Sequence, residues 1–364
     1  MKNRRCPRCQ KHFAAPARYC TVDGTPLVEV SFAAPPTPPA APGIRISAAR
    51  PRLSDADRPE VAPADAARFR SLSGTVLDDR YEIGQKIGEG GMSWVYQATE
   101  RGTGESLAIK VLPPRLTRDR DAVERLRREA EIATRFNHPN VCPILRLGET
   151  ADGVLYLVMP FLPGETLGDY EGRVREIDVG EGIRILVQVC DGLQHAHDLG
   201  VIHRDLKPEN VMLVPEGIGA ELRRAVVMDF GLAKERRAGA QVAQLTQTGI
   251  VLGTPEFMSP EQIRGRALDG RSDVYALGVL AFELFTGELP FTGKNAQEMM
   301  VARLRGLPRS LRSVRPGLPS RLETVISRAL ALAADDRYQS MTELAAAFEG
   351  VLQTGVLSRF FRRV

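Results

Sequence analysis

Between Val201 and Leu213 the chain reads VIHRDLKPENVML, setting a carboxylate (Asp205), an ammonium (Lys207) and a carboxamide (Asn210) on one short stretch bounded by apolar residues. A second carboxylate follows at Asp229, within VVMDFGLA. Phosphoryl transfer asks for this combination. It needs an acid residue to take the proton of the attacking hydroxyl, oxygen ligands for Mg²⁺, and a cation on the moving phosphate.

The segments around these residues have to position them. YEIGQKIGEGGMSWVYQAT predicts strand, glycine turn and strand, because β-branched and aromatic residues flank the glycines. SLAIKVL is a short apolar strand carrying Lys110. An ammonium among apolar neighbours needs a partner, since burying it alone is expensive, and the helix predicted from DRDAVERLRREAEIATRF offers Glu129 and Glu131. Two strands follow, near VCPILRLGE and VLYLVMPF, joined by a turn at 151–153. IRILVQVCDGLQHAHDLG has apolar residues at helical spacing and a closing glycine, which predicts a buried amphipathic helix. His195 and His197 on it read as packed side chains rather than metal ligands, and Cys142 and Cys190 as small buried hydrophobes. PEGIGAELRRA, between Leu213 and Val226, reads as a surface insertion. After TGELPF the chain is expected to be helical to about Leu352.

The 364 residues allow two domains plus linkers. Forty-nine basic against 45 acidic residues leave a net charge of +4, too weak an excess to argue for nucleic acid. The Arg125, Arg127 and Arg128 cluster reads as a solvated helix face. No run approaches the roughly 18 apolar residues of a membrane span, and MKNRRCPRCQ has no apolar stretch behind it to make a secretory signal. Five cysteines, an odd count, do not suggest a disulfide framework, so a cytoplasmic protein is expected.

Residues 1–28 read as a unit of their own. Cys6 and Cys9 form a tight pair, and Cys20 with Asp23 and Gly24 supplies a second turn; facing each other, such turns enclose one Zn²⁺, and so short a segment needs a staple. The unit resembles a zinc ribbon, except that Asp23 stands where a fourth cysteine is usual, with His12 the alternative ligand. It is expected to contact a protein partner. Residues 29–75, rich in Pro and Ala, read as a disordered linker.

The combination His-Arg-Asp-Leu-Lys-Pro-Glu-Asn followed by Asp-Phe-Gly resembles the protein-kinase signature set. Lys207 within it resembles serine/threonine kinases, and GEGGMSWVY with DDRYQS resembles the bacterial eukaryotic-like, Hanks-type branch. The resemblance implies an α+β, bilobal kinase fold over residues 76–350, with a small antiparallel β lobe bearing one helix and a larger helical lobe, followed by a tail, 351–364. It implies that Ile87, Gly88, Glu89, Gly90 and Gly91 close over the phosphates of ATP, with Ser93 where the family has its third glycine. Val95 and Ala108 would lie above the purine and Met212 below it. Met159 would be the gatekeeper, and the backbone of Pro160 and Leu162 would meet the adenine edge. Lys110 would pair with Glu129 and hold the α- and β-phosphates. Asp205 would orient the hydroxyl and take its proton, Lys207 would neutralise the γ-phosphate, and Asn210 and Asp229 would hold Mg²⁺ or Mn²⁺.

Thr254 would hydrogen-bond Asp205 and Lys207, and His203 and Phe230 would pack the loops. Arg204 would answer a phosphorylated activation segment, with Thr246 and Thr248 as the sites. Glu261 would pair with Arg337, and Asp273 would cap the amides of the catalytic loop. The expected substrates are proteins with Ser or Thr acceptors, phosphorylated at ATP's expense, with autophosphorylation in a kinase dimer. The rival, a pseudokinase or zinc-ribbon-directed scaffold without turnover, is disfavoured because Lys110, Glu129, Asp205, Asn210 and Asp229 are all in place.

Overall fold

The fold was obtained as a computed structural model. It describes residues 72–90, 93–112, 120–150, 154–174, 176–216, 222–230, 255–293 and 295–354, with the backbone of three short strands near the N-terminus. The chain divides into two units, Met1–Ile46 and Ser47–Val364. In the first, β1 (Asn3–Arg5) pairs antiparallel with β2 (His12–Ala14) and β3 (Val28–Glu29), and Arg5 lies opposite both His12 and Val28.

The second unit begins with an antiparallel sheet. Its strands are β4 (Val76–Leu77), β5 (Tyr81–Gly90), β6 (Ser93–Glu100), β7 (Ser106–Val111), β8 (Arg146–Glu149) and β9 (Leu155–Pro160), in the order β4-β5-β6-β7-β9-β8. Side chains alternate across a strand, so the register Val95↔Lys110, Ala108↔Met159 and Lys110↔Leu157 puts Val95, Ala108, Lys110 and Met159 on one face. Trp94, Tyr96, Ile109, Tyr156 and Val158 fill the other face, buried. Helix α1 (Arg120–Ala133) seats Leu126 against Leu112 and Leu155.

Strand β4 lies at the edge of what reads as linker in the sequence. Leu72 and Leu77 pack on the outer apolar face, and Thr75 and Ile83 exchange a backbone bond of 2.9 Å. Asp78 and Asp79 turn the chain in the left-handed region (φ 51° and 53°), which Asp tolerates, and the Tyr156 hydroxyl donates to the Asp78 carboxylate. The folded body thus starts before residue 76: Leu72 and Leu77 supply apolar cover that the Pro/Ala composition upstream does not suggest.

The larger lobe is helical. It contains α2 (Leu167–Arg173), α3 (Val179–Asp198), α4 (Pro260–Ile263), α5 (Gly270–Thr286), α6 (Ala296–Arg305), α7 (Leu311–Val314), α8 (Ser320–Ala329) and α9 (Met341–Thr354). Helix α5 is buried on every side from Ser272 to Phe285, so it is the axis on which the lobe packs. It opens on the Asp269 cap and stops at Gly287, whose φ of 71° suits a residue without Cβ. A small sheet of β10 (Glu165–Thr166), β11 (Val211–Glu216) and β12 (Leu222–Val227) faces the first lobe. Part of the expected surface insertion is strand: the β11–β12 ladder runs out to Glu216↔Leu222.

Glu261 and Arg337 make the expected pair, in a two-pronged geometry of 2.7 and 2.9 Å. Arg337 is 0% exposed and also donates to the carbonyls of Arg271, Ala331 and Leu332, while Ser272 donates to Glu261 at 2.7 Å. Arg337→Ala leaves a buried carboxylate and three carbonyls unmatched, so it is expected to lower unfolding free energy by about 3–5 kcal/mol in urea titrations.

The lobes also meet at residues 136–142. There Asn137 N donates to His195 Nε2 and Asn140 N to His138 Nδ1, both at 3.2 Å, and the two rings stack at 5.3 Å. A ring nitrogen that accepts carries no proton. Burial, then the His195 ring, holds the His138 pKa below its ordinary value against the opposing Asp191 carboxylate; Asp191 of α3 itself faces Glu349 of α9. A lowered folded pKa means that the stabilisation is present above the unfolded value of about 6.5 and fades as pH falls through the folded one. Between pH 7.5 and pH 5 the wild type should therefore lose about 1 kcal/mol that a His138→Asn variant, whose amide oxygen does not titrate there, retains.

Candidate active site

The loop carrying Asp205 is suspended from α5. Asp273, in that helix's first turn, is 1% exposed; its Oδ2 accepts from His203 N at 2.8 Å and its Oδ1 from Arg204 N at 3.0 Å. His197 Nε2 meets Oδ2 at 2.8 Å. Burial alone would push the Asp273 carboxyl up, but the bond to and charge of His197, with His203, outweigh it and hold the group below the usual carboxylate range. Arg204 is then fixed in the left-handed region (φ 65°), and its carbonyl accepts from Gln262 Nε2 at 2.8 Å.

His203, fully buried, joins the two chemical segments. Its Nε2 meets the Met228 carbonyl at 2.9 Å, and Asp205 N donates to its Nδ1 at 3.2 Å. Asn210, buried at the end of the turn Pro208–Asn210, donates from Nδ2 to the Asp205 carbonyl at 2.8 Å, and its own carbonyl accepts from Met228 N at 2.8 Å. Asp205, Asn210 and Asp229 are therefore held together by backbone bonds. Lys207 Nζ lies 4.0 Å from Asp205 Oδ2. Phe230 packs between the rings of Phe136 and His203, at 4.9 and 4.8 Å.

Lys110 reaches this group from the first lobe. Its ion pair here, at 2.8 Å, is with Asp229, where the sequence predicts Glu129. Asp229 adopts φ 58°, and opposite charges in a partly desolvated slot attract. Burial pushes the Asp229 carboxyl up; Lys110, then His203 and Lys207, more than offset it and hold the pKa down. Glu129 stands half-buried on α1.

Above the charges lies an apolar slot. Ala108 and Met159 are buried in one cluster with Cys142, Val214 and Val226, against which Ile87, Val95, Leu162, Met212 and Met228 pack. The predicted purine contacts Val95, Ala108, Met159, Leu162 and Met212 thus come together, with Pro160 closing β9 beside them. Glycine-loop residues Gly88, Glu89 and Gly90 pair with Val95, Trp94 and Ser93, and Lys86 holds Glu89 at 2.6 Å. Cys142 and Met228 belong to the slot although their types alone did not mark them. Their signal was weak: each is one apolar residue within an apolar segment. Burial, and then the Asp229 carboxylate, push the Cys142 thiol up to about 12, so it stays a neutral wall group. Gly91, Thr246, Thr248 and Thr254 lie outside the described residues, as do Cys6, Cys9, Cys20 and Asp23. His12 contributes only its backbone, in β2.

Comparison with known proteins agrees with this geometry. The family profile described as "Protein kinase domain" matches residues 81–347. The serine/threonine-protein kinase Pkn1 of Myxococcus xanthus is 40% identical over 276 residues, covering 76% of this chain and 38% of its own. PknB of Mycobacterium leprae is 38% identical over 273 residues, covering 74% and 42%. The chain spans half or less of the length of the curated relatives it matches, 38%, 50% and 43% in three of them. The crystal structure of the Mycobacterium tuberculosis PknI kinase domain superposes with a TM-score of 0.60 at 30% identity, covering 77% of this chain and 98% of that one. The chain belongs to the protein kinase family, and its domain is of the bacterial Hanks-type serine/threonine class.

Proposed function

We propose that this protein is an ATP-dependent serine/threonine protein kinase that moves the γ-phosphate of ATP to Ser or Thr hydroxyls of proteins, itself included. The observation that carries the reading is the convergence of Asp205, Lys207, Asn210, Asp229 and Lys110 beneath one apolar slot. Adenine fits between Val95 and Ala108 on one side and Met212 on the other, against Met159, with Pro160 and Leu162 offering backbone to its edge. Ile87, Gly88, Glu89, Gly90 and Gly91 cover the phosphates. Lys110 binds the α- and β-phosphates, oriented by Glu129 when it leaves Asp229, and Lys207 faces the γ-phosphate.

The donor set suits Mg²⁺: Asn210 uses its amide nitrogen on Asp205, which leaves its amide oxygen, and Asp229 is held ionised, so two hard oxygen groups are available. The ion supplies charge neutralisation of the phosphates when bound. Asp205, fixed by Asn210 and His203, aligns the acceptor hydroxyl and takes its proton, and Thr254 steadies Asp205 and Lys207. Activation is assigned to phosphorylation at Thr246 or Thr248, answered by Arg204 and reached in trans within a kinase dimer. A scaffold without turnover leaves the positioning of Asp205 without a use.

With γ-labelled ATP, the wild type should label itself and Asp205→Asn should do so about 10²–10⁴-fold more slowly, with nucleotide binding retained. Equal labelling by the two would remove Asp205 from the reaction, and mass spectrometry of the label should find Thr246 or Thr248.

For residues 1–28 the finer reading is a zinc-ribbon-like unit that binds a protein partner, with Cys6, Cys9, Cys20 and either Asp23 or His12 on one Zn²⁺. It is supported by the Cys6 and Cys9 spacing, and by the sheet β2-β1-β3, in which Arg5 stands opposite both His12 and Val28. Metal analysis of the purified chain should give about one zinc per molecule, the capacity of a single four-ligand site, and Cys6→Ser with Cys9→Ser should abolish it. The cytoplasm is proposed as the place of action, where Cys142 and Cys190 persist as free thiols.

A further inference from the structure

Gln188 lies midway along α3, half-buried, and nothing in the sequence marks it out among the polar residues of that helix. Its carboxamide meets four groups. Oε1 accepts from Ala225 N at 3.0 Å and from Asn140 Nδ2 at 3.1 Å, and Nε2 donates to the carbonyls of Arg223 at 3.2 Å and Arg184 at 3.3 Å. An amide can do no more: its oxygen offers two lone pairs and its nitrogen two hydrogens. The orientation is fixed as well, because the reverse one would set the oxygen against two carbonyls and the nitrogen against two N–H donors.

These partners trace one line. Strand β12 has β11 along one edge, in a ladder that runs from Val211↔Val227 to Glu216↔Leu222. Its other edge meets no strand among the described residues, only the isolated bridge Val141↔Val227. That edge is filled group by group instead. Gln188 takes the Arg223 carbonyl and the Ala225 amide, and Asn140 Nδ2 takes the Ala225 carbonyl at 2.7 Å. The Asn140 carbonyl accepts from Val227 N, and Cys142 N donates to the Val227 carbonyl, both at 2.9 Å. Two side-chain amides and a short run of backbone thus take the place of a neighbouring strand.

The strand so held ends in the chemistry. Two-stranded ribbons twist more than wider sheets do, so the bonds on the second edge govern how far β12 twists against β11. Val226 stays in the ladder opposite Met212, whereas Asp229 stands two residues past Val227, where the ladder ends. A change of twist therefore grows toward Asp229 and leaves the slot wall at Val226 nearly in place.

We infer that Gln188 is a positioning residue for Asp229: its amide closes the free edge of β12 and so sets where the Asp229 carboxylate meets Mg²⁺ and the phosphates. This rests on the nucleotide-binding part of the reading above. The test is calorimetric titration of the full chain with ATP, with and without Mg²⁺, and with adenosine. Wild type, Gln188→Met and Gln188→Glu are compared, each checked for folding by thermal melting. Methionine keeps the length without the polar groups, and glutamate keeps an acceptor for Ala225 and Asn140 but loses both donors. In Gln188→Met the gain in ATP affinity that Mg²⁺ brings is expected to fall about five-fold, the size of one hydrogen bond, while adenosine affinity stays within about two-fold.

A folded Gln188→Met with the wild-type gain from Mg²⁺ overturns the inference. So does an equal loss of adenosine affinity, which general loosening would produce, or a wild type whose ATP affinity Mg²⁺ leaves unchanged. If Gln188→Met does not fold, Gln188→Glu decides: a gain reduced about two-fold or more supports the role, and an unchanged one ends it. Failure of the kinase reading shows separately. A wild type that binds ATP with Mg²⁺ but labels no protein from γ-labelled ATP refutes the transfer, while the binding comparison still decides the place of Gln188.

Discussion

The buried carboxylate of Asp273 is the constraint from which the catalytic geometry descends. Two backbone amides of the loop, at His203 and Arg204, donate to it, and a buried amide without an acceptor is costly. By accepting both, Asp273 holds Arg204 in a left-handed conformation that a residue with a Cβ otherwise avoids. That twist turns the chain so that Asp205 faces the cleft while His203 points inward to Met228. The carboxylate is in turn kept ionised inside the protein by His197 and His203. Position and protonation are therefore set together, by a helix whose middle turns never see water.

The same helix also holds the segment that carries Glu261. Ser272 touches Glu261, and the Tyr275 ring lies 4.8 Å beneath the Arg337 guanidinium. Tyr275 also stacks on Phe291, over which Arg303 lies. One buried surface of α5 thus carries both the loop before Asp205 and the segment bearing Glu261, which Gln262 joins at the Arg204 carbonyl. Because close-packed interiors transmit small displacements, an error in either anchor would be felt at the reacting atoms without any change in their chemical identity.

Much of this was legible in the sequence, for a definable reason. Asp205, Asn210, Asp229, Asp273 and the Glu261–Arg337 pair stand in motifs that resemble the protein-kinase signature set, and it was that resemblance which named their roles and partners. The apolar slot was legible only where a motif named its members: Cys142 and Met228 look like any core residue until β12 and the segment before β8 are seen side by side. Gln188 looked like one more polar residue of an amphipathic helix. Lys110 shows a different limit. Its need for a carboxylate was clear, but Glu129 and Asp229 are both carboxylates, and choosing between them takes the position of α1 and of the Asp229 turn. The strand β4 was hidden because one hydrogen-bonded turn of two aspartates carries almost no pattern.

The contacts that join the lobes differ in kind, and the difference bears on how such a site can work. Residues 140–142 are built into the larger lobe: Asn140 donates to the Ala225 carbonyl at 2.7 Å, Val227 N to the Asn140 carbonyl at 2.9 Å, and Cys142 N to the Val227 carbonyl at 2.9 Å. Two of these are backbone bonds and the third is a buried side-chain bond, all expensive to break without replacement. The Lys110–Asp229 contact crosses the cleft with side chains 19% and 34% exposed, so water screens it and its net worth is about 1 kcal/mol or less. A lobe fixed along one edge and tethered across the other by a weak ion pair can swing about the fixed edge. The tether joins the two groups that phosphates and their counter-ion would each attract. Nucleotide binding would then compete with the contact that closes the cleft, and both charges would pass from each other to the substrate without either being left bare.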